Sequence, residues 1–138
     1  MKNTMSSKEL ALLCAHAAID KKSENNVIFD VSQVGAFTDS FLVPSGTSER
    51  KVQAIADEII KTAREYGLSK PTLEGYEQGR WALLDFGSVI IHISHDYIRA
   101  FYKLEELWGQ APKVRIPEEF YTRPVPRPGT VPSAQMHP

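Results

Sequence analysis

The sequence has only one cysteine and almost no net charge. Both features exclude some classes of protein. Cys14 cannot form an internal disulfide, and its neighbours Leu13 and Ala15 predict a small buried side chain rather than a reactive thiol. This cysteine usage is typical of a reducing compartment. The 16 basic and 17 acidic residues give a net charge of −1, so the overall balance does not attract nucleic acid or an anionic membrane.

The chain also has little of the continuous apolar sequence that membrane segments need. No run approaches the roughly 18 apolar residues of a membrane span, and the polar start MKNTMSSKEL is not typical of a signal peptide. We therefore expect a cytoplasmic protein with no membrane association and no direct sequence-specific nucleic-acid binding. The 138 residues, 42% of them hydrophobic, fit one globular domain with a sizeable core.

Hydrophobic periodicity predicts helices in three places. Ser6 and Glu9 form a capping-box pattern ahead of a helix from about residue 7 to residue 22. Thr47 or Ser48 caps a second helix that Gly67 ends. Asp96 is predicted to cap a third, which extends to Trp108.

Short runs rich in β-branched and aromatic residues predict a sheet of about five strands. They are VIFDVS, DSFLVPSG, LSKPTLEGY, RWALLDF and SVIIHIS, and the last two form a hairpin joined at Gly87 and Ser88. With the helices, this order predicts an α/β sandwich with a mixed sheet flanked by helices. Residues 117–138 hold most of the prolines, so we expect a domain over residues 1–116 and a flexible proline-rich tail over residues 117–138.

Short matches to catalytic motifs have simpler explanations. Ser48 and Lys51 match the S-x-x-K of penicillin-binding enzymes without its companion motifs, so a helix cap is the better interpretation. The DFG at residues 85–87 is what a tight turn requires and lacks the other kinase motifs. His92 and His95 point to opposite faces of a strand. We therefore predict no catalytic, metal-binding or cofactor-binding residue.

One enzyme hypothesis stays open at this point. The sequence SGTS at residues 45–48 precedes a helix and could present backbone N–H groups to a phosphate, with Asp85 as a nearby carboxylate, as in a nucleotidyltransferase. Such chemistry usually needs a second carboxylate, commonly in D-x-D, and this strand reads Asp85-Phe86-Gly87. The chain is therefore a weaker candidate for a nucleotide-binding enzyme than for a binding protein.

Three separated blocks, in order, resemble the ribosomal silencing factor family, also called the Iojap-related proteins. They are FTDSFLVPSGTSERKVQAIADEI, LEGYEQGRWALLDFGSVIIHI and RAFYKLEELWG, and the resemblance runs from about residue 8 to residue 116. It implies a nucleotidyltransferase-like fold without transferase activity and without a cofactor. It also implies a homodimer and a translation repressor that binds the large ribosomal subunit through its fourteenth L-series protein. The bound factor would block joining of the small subunit.

The hairpin of the second block supplies most of the candidate partner-binding residues. Alternation places Trp81, Leu83 and Asp85 on one face of the strand, where a tryptophan can anchor an interface and a carboxylate can meet a basic partner. Glu74 and His92 are expected beside them. The alternative is that Trp81 packs in the core and that Asp85 only satisfies the turn.

The last predicted helix has more apolar surface than one buried stripe requires. Tyr102 and Trp108 are predicted to contact a partner or a second copy of the chain, while Phe101 and Leu104 are expected in the core. A scaffold that binds some other basic protein through the same acidic edge is a further possibility.

Overall fold

A mixed sheet of seven strands forms the centre of the fold. The computed structural model of the chain describes residues 5–34 and 37–128, except for the side chains of residues 104 and 105. The strands are β1 (Ile28–Asp30), β2 (Ser40–Leu42), β3 (Ser45–Gly46), β4 (Thr72–Glu74), β5 (Trp81–Asp85), β6 (Val89–His95) and β7 (Lys113–Val114). Their order is β4-β5-β6-β2-β1-β7, and β3 continues beside the end of β6.

The predicted mixed α/β architecture is confirmed, with more strands than predicted. Strands β2 and β3 run parallel to β6, and the other neighbouring pairs are antiparallel. The predicted strand DSFLVPSG divides into two because Pro44 has no N–H to donate to a ladder. The edge strand Lys113–Val114 had no alternating pattern long enough to predict it.

Helices α1 (Ser7–Asp20) and α2 (Glu49–Glu65) begin at the predicted caps. Ser6 Oγ accepts the Glu9 N–H at 3.1 Å, and Glu9 Oε1 accepts the Ser6 N–H at 2.9 Å, which confirms the capping box. Ser48 Oγ accepts the Lys51 N–H at 3.0 Å, so the S-x-x-K match is a helix cap. Within the described residues, none of the helices has both the length and the apolarity of a membrane span.

The predicted third helix is interrupted. Helix α3 covers only Asp96–Tyr102, and its cap is His95, whose Nδ1 accepts the Tyr97 N–H at 3.0 Å. Lys103 adopts a left-handed conformation with φ 50°, and a separate 3₁₀ helix, Leu104–Trp108, follows. The predictions of an Asp96 cap and of one helix extending to Trp108 were therefore wrong. The break at Lys103 turns the chain so that Trp108 reaches the sheet.

Helices α1 and α2 cover one face of the sheet and bury the main core. Alternation along the hairpin directs Ala82 and Leu84 of β5 toward these helices, and both are fully buried. Strand β6 contributes Val89, Ile91 and Ile93 to the same layer. Cys14 of α1 lies in this core, which confirms the predicted burial of its side chain, and this burial raises the pKa of the thiol.

The C-terminal segment, residues 117–128, packs on the outer side of α1 and α2. The His16 ring stacks on Phe120 with centroids 4.0 Å apart, and His16 Nε2–H donates to the Arg123 carbonyl at 2.6 Å. The Val125 N–H donates to Asp20 Oδ2 at 3.0 Å, and its side chain is 3% exposed within the main core. Over these residues the structure differs from the expected flexible tail. Residues 129–138 lie outside the described residues.

Ionic contacts fix the end of the same segment. Arg127 donates to Glu58 Oε2 at 3.0 Å and to Glu65 Oε1 at 2.9 Å, and the Tyr66 hydroxyl donates to the Pro126 carbonyl. The proline content of the segment predicted a flexible tail, because proline cannot continue a helix or a sheet. The segment instead begins with a short 3₁₀ helix, Glu118–Tyr121, and in the irregular chain that follows it the Arg123 and Pro126 carbonyls and Val125 find partners on the helices.

Replacing Val125 tests whether the C-terminal segment stabilises the domain. Val125→Ala removes buried apolar volume and should lower the free energy of unfolding by about 2 kcal/mol. Val34→Ala is the matched control, because Val34 is 54% exposed and its truncation should change stability by less than about 0.5 kcal/mol. Urea unfolding followed by circular dichroism measures both; equal midpoints for the two variants would contradict docking of the segment.

Candidate partner-binding site

The face of the sheet opposite α1 and α2, here called the open face, brings the predicted hairpin residues together. Directly paired residues of neighbouring strands point to the same face, and the register pairs Glu74 with Leu83, and Leu83 with His92. The next rows along the hairpin pair Trp81 with Ser94 and Asp85 with Ile90. Glu74, Trp81, Leu83, Asp85 and His92 therefore share one face, as the alternation predicted.

The two remaining predicted residues contact the same face from the chain that follows β6. The Trp81 and Tyr102 ring centroids lie 5.9 Å apart, and those of His92 and Trp108 lie 5.1 Å apart. Trp108 also stacks on Phe41, with centroids 4.4 Å apart and planes 27° apart. All seven predicted residues thus lie on the open face or pack against it. Their role in binding a partner stays a prediction.

A hydrogen bond from Trp81 to His92 organises the centre of the open face. Trp81 Nε1–H donates to His92 Nδ1 at 3.1 Å. His92 is 8% exposed and lies between the rings of Phe41, Trp81 and Trp108. An imidazole nitrogen can accept a hydrogen bond only when it carries no proton, so this contact requires a neutral His92. Burial lowers the pKa of His92 from 6.5 to about 4 and so keeps the ring neutral.

The outer residues of the hairpin combine partial exposure with negative charge. Trp81, Leu83 and Asp85 are partly buried, whereas the intervening Ala82 and Leu84 are fully buried. Asp85 Oδ1 accepts the Gly87 N–H at 2.7 Å, so this carboxylate also stabilises the turn. The side chain of Glu74 is exposed at the β4 edge. An aromatic residue on the same face as two carboxylates suits contact with a basic protein.

The loop between β4 and β5 fixes the positions of Glu74 and Trp81, a role that sequence reasoning missed. Gly75 has φ 75°, and a Cβ atom there would lie 2.2 Å from the Trp81 carbonyl oxygen, so only glycine fits. Gln53 of α2 donates to the carbonyls of Tyr76 and Glu77, both at 3.1 Å. The two glycines of EGYEQG were the available signal.

Several apolar side chains beside the open face lack cover in the part of the chain that the structure describes. Phe101 is 67% exposed, so the prediction that it lies in the core was wrong; the short α3 leaves its outer side in solvent. The side chain of Leu104, expected in the core, lies outside the described set. Sequence reasoning also missed Val34 and Leu107, which line a small cleft beside Trp108.

The groups proposed for nucleotide chemistry do not converge. Strand β3, with Ser45 and Gly46, pairs with the end of β6 at Ser94 and His95, whereas Asp85 pairs with Ile90 near its beginning. Four residues of extended strand separate these positions by about 13 Å. Among residues 5–34 and 37–128, no three His, Cys, Asp or Glu side chains are grouped to hold a metal ion.

Comparison with known proteins identifies the family. The family model described as "Ribosomal silencing factor during starvation" matches residues 4–135. The chain belongs to this family. The ribosomal silencing factor of Halalkalibacterium halodurans is 46% identical over 112 residues, which are 81% of this chain and 96% of that protein. The resemblance of the three sequence blocks is thereby confirmed.

A solved structure and a distant relative extend this comparison. A crystal structure of a Chromobacterium violaceum protein has a TM-score of 0.73 and 29% identity, and the match covers 86% of this chain and all of that one. A mouse protein named "Mitochondrial assembly of ribosomal large subunit protein 1" is 36% identical over 75 residues, 52% of this chain and 33% of its own length. The fold and the family assignment of this silencing factor therefore agree.

Titration of His92 predicts a pH-dependent stability. Its pKa is about 4 in the fold and 6.5 as a free side chain, so between these values the unfolded chain binds the extra proton. Stability is therefore full above about pH 6.5 and is lost as the pH falls toward 4, by about 2 kcal/mol between pH 7 and pH 5. Urea midpoints at the two pH values measure this difference.

A variant without the titrating ring is the control for this prediction. His92→Gln keeps a hydrogen-bond acceptor but carries no ionisable group, so its stability should change by about 2 kcal/mol less than that of the wild type over the same pH range. If both proteins lose the same stability between pH 7 and pH 5, His92 is not the group responsible.

Proposed function

We propose that this ribosomal silencing factor represses translation by binding the large ribosomal subunit through the open face and blocking small-subunit joining. The observation that carries the proposal is the grouping of aromatic and acidic side chains on one face by the hairpin, Tyr102 and Trp108. Monomeric proteins seldom leave such a surface uncovered unless it contacts another molecule. The name of the mouse relative, which refers to assembly of the ribosomal large subunit, supports a target on that subunit.

The partner that best fits this surface is a basic ribosomal protein, the fourteenth of the L series by the family resemblance. Trp81 provides an aromatic anchor that the His92 hydrogen bond holds in one orientation, which reduces the entropy lost on binding. Glu74, which pairs with Leu83, and Asp85, two residues beyond Leu83, lie on the same face and can pair with Lys or Arg side chains of the partner. The acidic edge also favours protein over the RNA phosphate backbone as the direct contact.

Steric occlusion requires no catalysis and no cofactor. The side chains that suggested an enzyme have structural roles: Ser48 caps α2, Asp85 stabilises a turn and His95 caps α3. The alternative, a nucleotidyltransferase-related enzyme that uses SGTS and Asp85, predicts nucleotide hydrolysis or transfer in the presence of magnesium. Turnover abolished by Asp85→Asn would establish that alternative.

The proposal includes a cytoplasmic homodimer. Tyr97, Phe101 and Tyr102 are each more than half exposed and lie together along α3, so a second copy of the chain can cover them. This patch adjoins Trp81, so dimer formation and ribosome binding would share part of one surface.

Truncation of Trp81 tests the anchor. Trp81→Ala should weaken binding to isolated large subunits by about 2 kcal/mol or more, roughly 30-fold. Because Trp81 is only partly buried, its loss should lower the free energy of unfolding by less than the roughly 3–5 kcal/mol typical of a core aromatic. Tyr121→Ala removes an aromatic ring that is 54% exposed in the C-terminal segment and serves as the matched control. Sedimentation with purified subunits measures both affinities.

Charge reversal at Glu74 tests the acidic edge independently of packing. Glu74→Lys places a like charge against the basic partner and should reduce affinity at low salt, with a smaller effect as added salt screens the charges. Glu118→Lys makes the same charge change at an exposed site on the helix side and should leave affinity unchanged. Unaltered binding by both Trp81→Ala and Glu74→Lys would remove the hairpin from the interface.

A further inference from the structure

A cleft with more basic than acidic lining residues lies on the helix side of the molecule, away from the open face. It has a volume of about 460 Å³ and is formed by the end of α1, the outer side of α2 and the C-terminal segment. Five of its lining residues are basic and two are acidic, although the whole chain has a net charge of −1. The basic residues are Lys21, Lys22, Lys61, Arg123 and Arg127.

The two carboxylates of the cleft are already used within the fold, whereas most of its cations are not. Asp20 Oδ2 accepts the Val125 N–H, and Glu58 Oε2 accepts a hydrogen bond from Arg127. Among the described residues, none forms an ion pair or a side-chain hydrogen bond with the charged groups of four lining residues, Lys21, Lys22, Lys61 and Arg123. The cleft therefore presents an excess of positive charge from three separate elements.

Lys22, one of these four cations, has an unusual backbone conformation. Its φ of 65° lies in the left-handed region, where the residue after a helix is usually glycine or asparagine. The Lys22 N–H donates to the Ile19 carbonyl at 2.8 Å, which holds the turn closed. A lysine at this position adds a cation to the lining of the cleft, although the left-handed backbone conformation is unfavourable for a residue other than glycine.

We propose that this cleft binds a small polyphosphate anion, of the kind carried by a nucleoside triphosphate. Lys and Arg side chains form their strongest hydrogen bonds with phosphate oxygens, and several converging cations match a ligand with several negative charges. The volume lies within the range of small-molecule sites. Tyr121 also lines the cleft and is 54% exposed, so its ring offers a face on which a base can stack. This site is separate from the partner-binding surface and does not depend on it.

The composition of the cleft also predicts a structural effect of the ligand. Arg123 belongs to the C-terminal segment, whereas Lys21 and Lys61 belong to the helix layer. An anion that contacts both sides links them, so its binding free energy adds to the docking of the segment. Hydrogen exchange of the backbone amides at residues 118–128 should slow when the anion is present.

Isothermal titration of the full chain at low salt, with tripolyphosphate and separately with ATP, tests the site. We expect saturable binding of one anion per chain, weakened about tenfold or more by Lys61→Glu and by Arg123→Glu, since each removes a charged hydrogen-bond donor. Lys70→Glu makes the same charge change at an exposed lysine outside the cleft and should bind as the wild type does. Tighter binding of ATP than of tripolyphosphate would show that the base contributes, as expected if it stacks on Tyr121. Equal affinities would show that the cleft recognises only the phosphate chain.

Any one of several results would overturn the proposal. The first is the absence of saturable binding up to about 1 mM anion. The second is an equal loss of affinity in Lys61→Glu and Lys70→Glu. The third is an anion-induced slowing of hydrogen exchange at residues 118–128 that is unchanged in Arg123→Glu. Binding of an RNA oligonucleotide without binding of either small anion would also overturn it, because the cleft would then be part of an extended RNA contact.

Discussion

The register of the β5–β6 hairpin is the constraint on which the other features depend. Strand β6 pairs with β5, β2 and β3, and its alternation sends Val89, Ile91 and Ile93 to the helix side and Ile90, His92 and Ser94 to the open face. A shift of one residue would exchange these two sets and place an imidazole and a hydroxyl against α1 and α2. The tight turn at Gly87, closed by the Asp85 carboxylate, prevents that shift.

The same register explains why the open face is rigid at its centre and uncovered at its rim. His92 is buried by three aromatic rings, and as a neutral acceptor it fixes the indole of Trp81. The chain after β6 then breaks at Lys103, so that Trp108 covers the β1–β2 side of the face while Phe101 and Tyr102 remain exposed. Preorganised aromatic anchors surrounded by accessible apolar groups are what a protein interface needs.

Features with a local cause could be predicted from the sequence, and features set by distant contacts could not. The capping box at Ser6, the turn at Gly87 and the two faces of β5 each follow from residues a few positions apart. Tyr102 and Trp108 were predicted as contact residues on a separate, continuous helix, and their grouping with the hairpin, which follows from the break at Lys103, was not predicted. The left-handed Lys103, the short pairing of β7 with β1 and the docking of Val125 depend on partners far along the chain, which composition does not reveal.

The apolar surface on the two sides of the sheet is covered to different extents. The packing of α1 explains this difference. Its alanines at positions 11, 15, 17 and 18 are fully buried, more than a single core-facing stripe provides, because the C-terminal segment covers the side that would otherwise face solvent. Small side chains let α1 approach the sheet and the segment at once. On the helix side, the apolar surface is therefore covered by the C-terminal segment of the chain itself. The open face instead keeps exposed aromatic residues. A partner that buries apolar surface would consequently gain most by approaching from the side opposite α1.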